Sequence, residues 1–225
     1  MDHARRLAAL AVAVPALLAA AEPGVCTGEG NPFVAAPGFG AMHPLPAGEA
    51  AALTRREGAA LLLRAENAEI RLEDTPACLR GPDEPDCVRH RLVAAFADPP
   101  GFLVERGQYE HVDFLWVHRA TGQVESLADL PRLSPGGRWM LSVSTSDYMG
   151  LNGIELFDLG RGDIRRAFQH LPSQGDAFDF FSFWRWTKEE EALLCAWRGS
   201  PPAMTGPEQV VLRRGPYGWR IETLD

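Results

Sequence analysis

Lysine is almost missing from this chain: Lys188 stands alone among 225 residues, and arginine carries the rest of the fixed positive charge. Acidic side chains still outnumber basic ones, and the net charge is −8. No basic stripe interrupts that balance. An acidic surface repels phosphate backbones and anionic lipid headgroups, so no nucleic-acid partner is expected. Beyond residue 21 there is no apolar run long enough to cross a bilayer, which takes about 20 residues. Catalytic signatures are also absent. There is no Gly-x-Ser-x-Gly elbow, no His-Glu-x-x-His pair, no phosphate-binding Gly loop ending in Lys-Ser/Thr, and no Cys-x-x-Cys. Neither a cofactor nor a metal centre is expected from these patterns.

What is present begins with a leader. Arg5 and Arg6 precede an uncharged stretch from Leu7 to Ala21, and Ala19, Ala20 and Ala21 supply the small residues of a cleavage site. The stretch is too short for a permanent span, and Pro15 inside it weakens a rigid buried helix. Residues 1–21 are therefore expected to be a signal peptide, and the rest of the chain to be exported. Cys26 follows Val25 rather than a small residue at the end of the apolar run, which argues against a lipid anchor. An Ala-, Gly- and Arg-rich, Lys-poor composition is the habit of GC-rich bacterial genomes, and a periplasmic or secreted address follows.

The four cysteines are Cys26, Cys78, Cys87 and Cys195. An even number in an exported chain favours disulfides, and four allow three pairings. Cys78 and Cys87 bracket a segment full of turn formers, so they are expected to pair. Cys26 with Cys195 would then tie an N-terminal arm to a late strand. A metal site is the alternative, but the spacing is not that of a zinc knuckle.

Residues 22–48 are punctuated by Gly and Pro too often for a long element and are expected to be an irregular arm. Residues 49–225 are expected to form one β-rich domain. EAAALTRRE fits either a strand or a two-turn helix. Ile70 and Leu72 alternate with charges. Gly101–Gly107 and His111–His118 make the best hairpin candidate. In its second strand Val112, Phe114, Trp116 and His118 share one face and Asp113, Leu115 and Val117 the other, as in a strand covered on both sides. Trp139, Leu141 and Val143 form one face of a later strand, and Ile154 with Leu156 one face of the next. Glu189–Trp197 fits a strand better than a helix among β neighbours. Gln209–Arg213 and Trp219–Thr223 suggest a closing hairpin. The predicted fold class is all-β: a propeller-like or open antiparallel β assembly with a small irregular N-terminal arm.

FLWVHRATGQVESL, PRLSPGGRWMLSVST and GIELFDLGRGDIRRAF, within residues 111–168, resemble the blade unit of bacterial WD-like and TolB-like β-propellers. The Ser-Pro-Asp-Gly turn of that class stands here as Ser134-Pro135-Gly136-Gly137, so the usual Asp is a glycine and its side-chain to backbone bond is lost. The style also resembles uncharacterised exported bacterial proteins with one or two such units. Such a likeness implies a fold class and no activity.

Two polar clusters are candidate sites. Glu105, Glu110, His111 and Asp113 gather around the hairpin turn, where a carboxylate pair with a histidine could bind a divalent metal or do acid/base chemistry. Ser142, Ser144, Ser146, Asp147, Tyr148 and Asn152 lie between two apolar strands and could contact a ligand. Trp184 and Trp186, two apart on a strand, would share a face and could stack on a sugar or peptide. The leading functional expectation is a non-enzymatic binding or scaffold module for a periplasmic protein or envelope component. Alternatives are a hydrolase or lyase acting on envelope glycan or peptide, with Glu110 and Asp113 as its carboxylates, and a metal or small-molecule sensor.

Overall fold

The computed structural model describes Cys26 and residues 44–146, 151–160, 163–173, 175–200 and 203–224. The expected leader, most of the arm, and Asp147 and Tyr148 lie outside these residues.

The body includes Pro44, which bridges to Phe96, so part of the expected arm belongs to the fold. Helix α1 (Ala47–Leu53) follows, and Thr54 ends it in extended conformation and begins β1 (Thr54–Glu57). Both alternatives for EAAALTRRE are thus realised in succession. The alanines favour helix, and β-branched Thr54 turns the chain into strand. With β2 (Ala60–Arg64) and β3 (Glu69–Glu73) this strand makes a first antiparallel sheet.

The second sheet is β4 (Arg89–Phe96), β5 (Gly101–Gln108), β6 (His111–His118) and β7 (Val124–Leu127). The third is β8 (Arg132–Leu133), β9 (Trp139–Ser144), β10 (Gly153–Asp158) and β11 (Arg165–His170). The fourth is β12 (Phe180–Lys188), β13 (Glu191–Arg198), β14 (Thr205–Gly215) and β15 (Gly218–Thr223). Each sheet is an antiparallel meander in chain order, and none is closed. The fold is all-β and open. The stretch 111–168 straddles two sheets: β6 and β7 complete the second, and β8–β11 make the third.

Consecutive sheets share apolar layers, because several strands are apolar on both faces. On β6, Leu115 and Val117 meet Leu61 and Leu63 of the first sheet, whereas Trp116 meets Met140 and Phe157 of the third. On β9 and β10, Trp139, Leu141, Val143, Ile154 and Leu156 face Phe181, Leu194 and Leu212 of the fourth. Burying a side chain of this size is worth about 1.5–3 kcal/mol, so these layers hold the stack together.

The first sheet ends the stack with a charged face. Arg55 on β1 reaches Glu69 on β3 at 2.9 Å, and Arg71 on β3 reaches Glu57 on β1 at 3.7 Å. Leu62 lies in register between Arg55 and Arg71 and is only 1% exposed. The far face of the fourth sheet is different: Phe180, Cys195 and Trp197 are buried there with Trp184, Met204 and Cys26 against them. Among the described residues no apolar layer joins the fourth sheet to the first.

Both expected disulfides are present. Cys78 pairs with Cys87 in the loop between β3 and β4, and Cys26 pairs with Cys195 on β13.

Candidate functional site

The hairpin cluster divides into separately committed groups. Asp113 is 8% exposed, and Arg106 grips it with two hydrogen bonds, Nε donating to Oδ1 at 2.8 Å and the second nitrogen donating to Oδ2. His111 Nε2 lies 4.0 Å from Asp113 Oδ2. Glu105 instead pairs with Arg91. Glu110 sits at the exposed hairpin tip with a φ of 55°. The sequence neighbours Glu110 and Asp113 therefore do not form a carboxylate pair of like environment.

Asp113 and His111 do line a cleft of about 200 Å³ between the second and third sheets, opposite Glu155, Arg166 and Gln169. Glu155 was not singled out from sequence, since GIELFDL reads as a plain apolar strand. It is only 3% exposed. It accepts hydrogen bonds from the Ala128 N–H at 3.3 Å and Gln169 Nε2 at 3.2 Å, and pairs with Arg166 at 3.3 Å. Burial pushes its pKa up, while Arg166 draws it back. Glu155 thus clips the end of β7 to the third sheet.

In the polar loop, Asn152 Nδ2 donates to the Asp179 carbonyl at 2.7 Å, and Thr145 Oγ1 donates to the Phe181 carbonyl at 2.6 Å. Asn152 ties the third sheet to the approach of the fourth. Ser142 is fully buried, bonded both ways with the Asp129 backbone. Asp147 and Tyr148 lie outside the described residues.

Trp184 and Trp186 do not share a face. The pairing of β12 with β13 slips between Phe183 and Arg185, so Trp184 occupies a β-bulge. The extra residue reverses the alternation. Trp186 turns toward the third sheet, donates through Nε1 to the Arg132 carbonyl at 3.3 Å, and meets Trp219 edge-on. Trp184 packs on the far face near Cys26 and Met204, with Arg185 over its ring at 4.8 Å. The expected aromatic pair is absent.

The fourth sheet carries two further concavities. One, near the β12–β13 turn, is lined by Lys188, Glu190, Glu191 and Arg214, and its charges are spent on each other: Arg214 with Glu190 and Lys188 with Glu191. The other is a pocket of about 580 Å³ at the seam between β11 and the fourth sheet. It is lined by Phe178, Phe181 and Ile221, with His170, Asp176, Arg213, Glu222 and Thr223 around them. His170 meets Phe181 edge-on at 5.4 Å, and Phe178 meets Phe181 at 6.1 Å. Arg213 pairs with Glu222, which also takes Arg220. An apolar floor with a few polar groups at a rim, in this size range, is the usual form of a small-ligand site. The aromatic run from Phe178 to Phe183 was the only trace of this pocket in the sequence. Its other wall, from β15, comes from far along the chain.

Among the described residues no group of three or more His, Cys, Asp or Glu side chains is arranged to hold a metal ion, and no helix is long and apolar enough to cross a membrane. Comparison with known proteins finds no matching family model, no matching curated protein and no matching solved structure.

Proposed function

We propose that this chain is an exported, non-enzymatic binding module of propeller-like ancestry, and that the pocket between β11 and the fourth sheet receives its ligand. The observation that carries this reading is the pocket: a cavity of about 580 Å³ with Phe178, Phe181 and Ile221 beneath a polar rim. Export to the periplasm or beyond is supported by the leader and by two disulfides, which persist in oxidising compartments. The binding reading is favoured over a hydrolase by the state of Asp113. Both its oxygens are held by Arg106, so it is occupied as half of an ion pair.

The test is a ligand-detected NMR screen of apolar and aromatic fragments against the disulfide-bonded chain and its Thr223→Trp variant. Thr223 is exposed at the pocket wall, so the new ring would block the cavity without disturbing the core. Fragments that bind the wild type and lose binding to the variant are expected. An identical hit list for both proteins would move the site elsewhere.

A further inference from the structure

The rim of this pocket is not electrostatically neutral toward a ligand. On the lining, Arg213 pairs with Glu222 and their charges cancel; Arg220, outside the lining, shares the same carboxylate, so the triad as a whole carries one positive charge. Arg198, stacked over Phe178 at 4.8 Å, is held by both oxygens of Glu208 at 3.1 Å. Asp176 differs. Its Oδ2 accepts from the Ser173 N–H at 2.8 Å and the Ser173 hydroxyl at 3.2 Å, and among the described residues it forms no ion pair. The Ser173 backbone bond is the largest influence lowering its pKa, and the Ser173 hydroxyl and His170 add to it. His170, also on the lining, stands edge-on to Phe181 and acts on Asp176 electrostatically. The mouth therefore offers, beside an aromatic floor, one carboxylate that no arginine or lysine of the described residues pairs with.

Resting on the reading that this pocket binds a ligand, we propose that it selects amphipathic cations: an aromatic or branched apolar group for the Phe178–Phe181–Ile221 floor, with a positively charged nitrogen a few bonds away for Asp176. The chemistry is the same whether a small amine or a peptide segment with an apolar residue beside a basic one supplies it. The acidic balance of the whole chain, −8, acts in the same direction at longer range.

The test compares three probes of one shape by NMR titration of the disulfide-bonded chain: phenethylamine, benzyl alcohol and phenylacetate. The amine is expected to bind at least about fivefold more tightly than the acid at low salt, with the alcohol between them. That preference is expected to shrink in 1 M salt, where screening is nearly complete. Asp176→Asn, at an exposed position, should abolish the preference for the amine over the acid. A capped Phe-Arg dipeptide separates the sources: tighter binding than the amine assigns a peptide, and weaker binding assigns a small molecule. Phenylacetate binding as well as phenethylamine, or an Asp176→Asn variant with the same preference, would overturn the cationic assignment and leave the pocket as a binding site. If none of the probes bound, the pocket itself would fall as the ligand site.

Discussion

Glu189, at the turn joining β12 to β13, caps a turn in the neighbouring sheet: its Oε1 accepts from the Ser134 hydroxyl at 2.7 Å, and its Oε2 from the Gly136 N–H at 2.5 Å. Oε1 also takes the Arg138 N–H at 3.2 Å. Here the carboxylate arrives from the next sheet, and the turn position is glycine. A Cβ at residue 136 would stand 2.6 Å from Glu189 Oε2, so the missing side chain and the visiting one fit together.

That fit sets up a double-mutant cycle. Glu189→Ala is expected to cost about 2–3 kcal/mol, because it strips a charged acceptor from several donors. Gly136→Ala should cost about 1 kcal/mol or less, because the crowded atom ends a side chain that can shift at the expense of part of its hydrogen bonding. The double variant should be more stable than the sum, since alanine at 136 has nothing left to crowd. Urea unfolding measures all three, and strict additivity would show that the two residues act independently.

The two disulfides should contribute unequally. Cys78–Cys87 closes a separation of 9 residues and Cys26–Cys195 one of 169. On the chain-entropy account, replacing each pair with serine costs about 3 and about 5 kcal/mol respectively. Chemical denaturation of the two variants tests this order. An equal loss from both would mean that the unfolded chain is already compact around Cys26.

Two arginine–carboxylate pairs on the second sheet make a matched comparison. Arg106–Asp113 is largely withdrawn from water, and Arg91–Glu105 has its arginine in solvent. Asp113→Asn is expected to lower stability by about 2 kcal/mol, because it leaves Arg106 without its charge partner. Glu105→Gln should lower it by less than about 1 kcal/mol. Thermal or urea unfolding of the two variants suffices, and a larger loss at Glu105 would contradict the burial argument.

His90 and His118 give the fold a pH dependence. Both are buried, and burial is the first cause that lowers each pKa. At His90, Asp74 opposes the shift while Arg106 and Arg56 reinforce it; at His118, Glu66 and Asp163 oppose it. A histidine with a depressed folded pKa binds protons more readily when unfolded. Its contribution is therefore whole above the unfolded value near 6.5 and is lost as pH falls through that value toward the folded one. His90→Gln should lose less stability than wild type between pH 7.5 and pH 5.5. A variant with the same slope would show that His90 titrates alike in both states.

Much of the fold was legible because alternation is a local signal. Trp116 against Leu115 and Val117 announced a strand with cores on both sides, and the structure sends those residues to different layers. Cys78 and Cys87 announced their own loop. Trp184 and Trp186 misled, because a bulge between Phe183 and Arg185 breaks the period of two without marking the sequence. Glu155 and Asp176 were invisible as site residues for a different reason. One looks like a strand's surface charge and the other like loop filler, and only the stacking of sheets puts the first in a cleft and the second at a pocket mouth. The pocket walls come from β11, β12 and β15, which no local pattern could bring together.

The most direct measurement is a crystal structure of the disulfide-bonded chain soaked with phenethylamine. The expected result is density for the ring on Phe178, Phe181 and Ile221 with the amine toward Asp176. Density only in the cleft between His111 and Glu155, or a pocket already filled by the chain's own residues, would contradict the account.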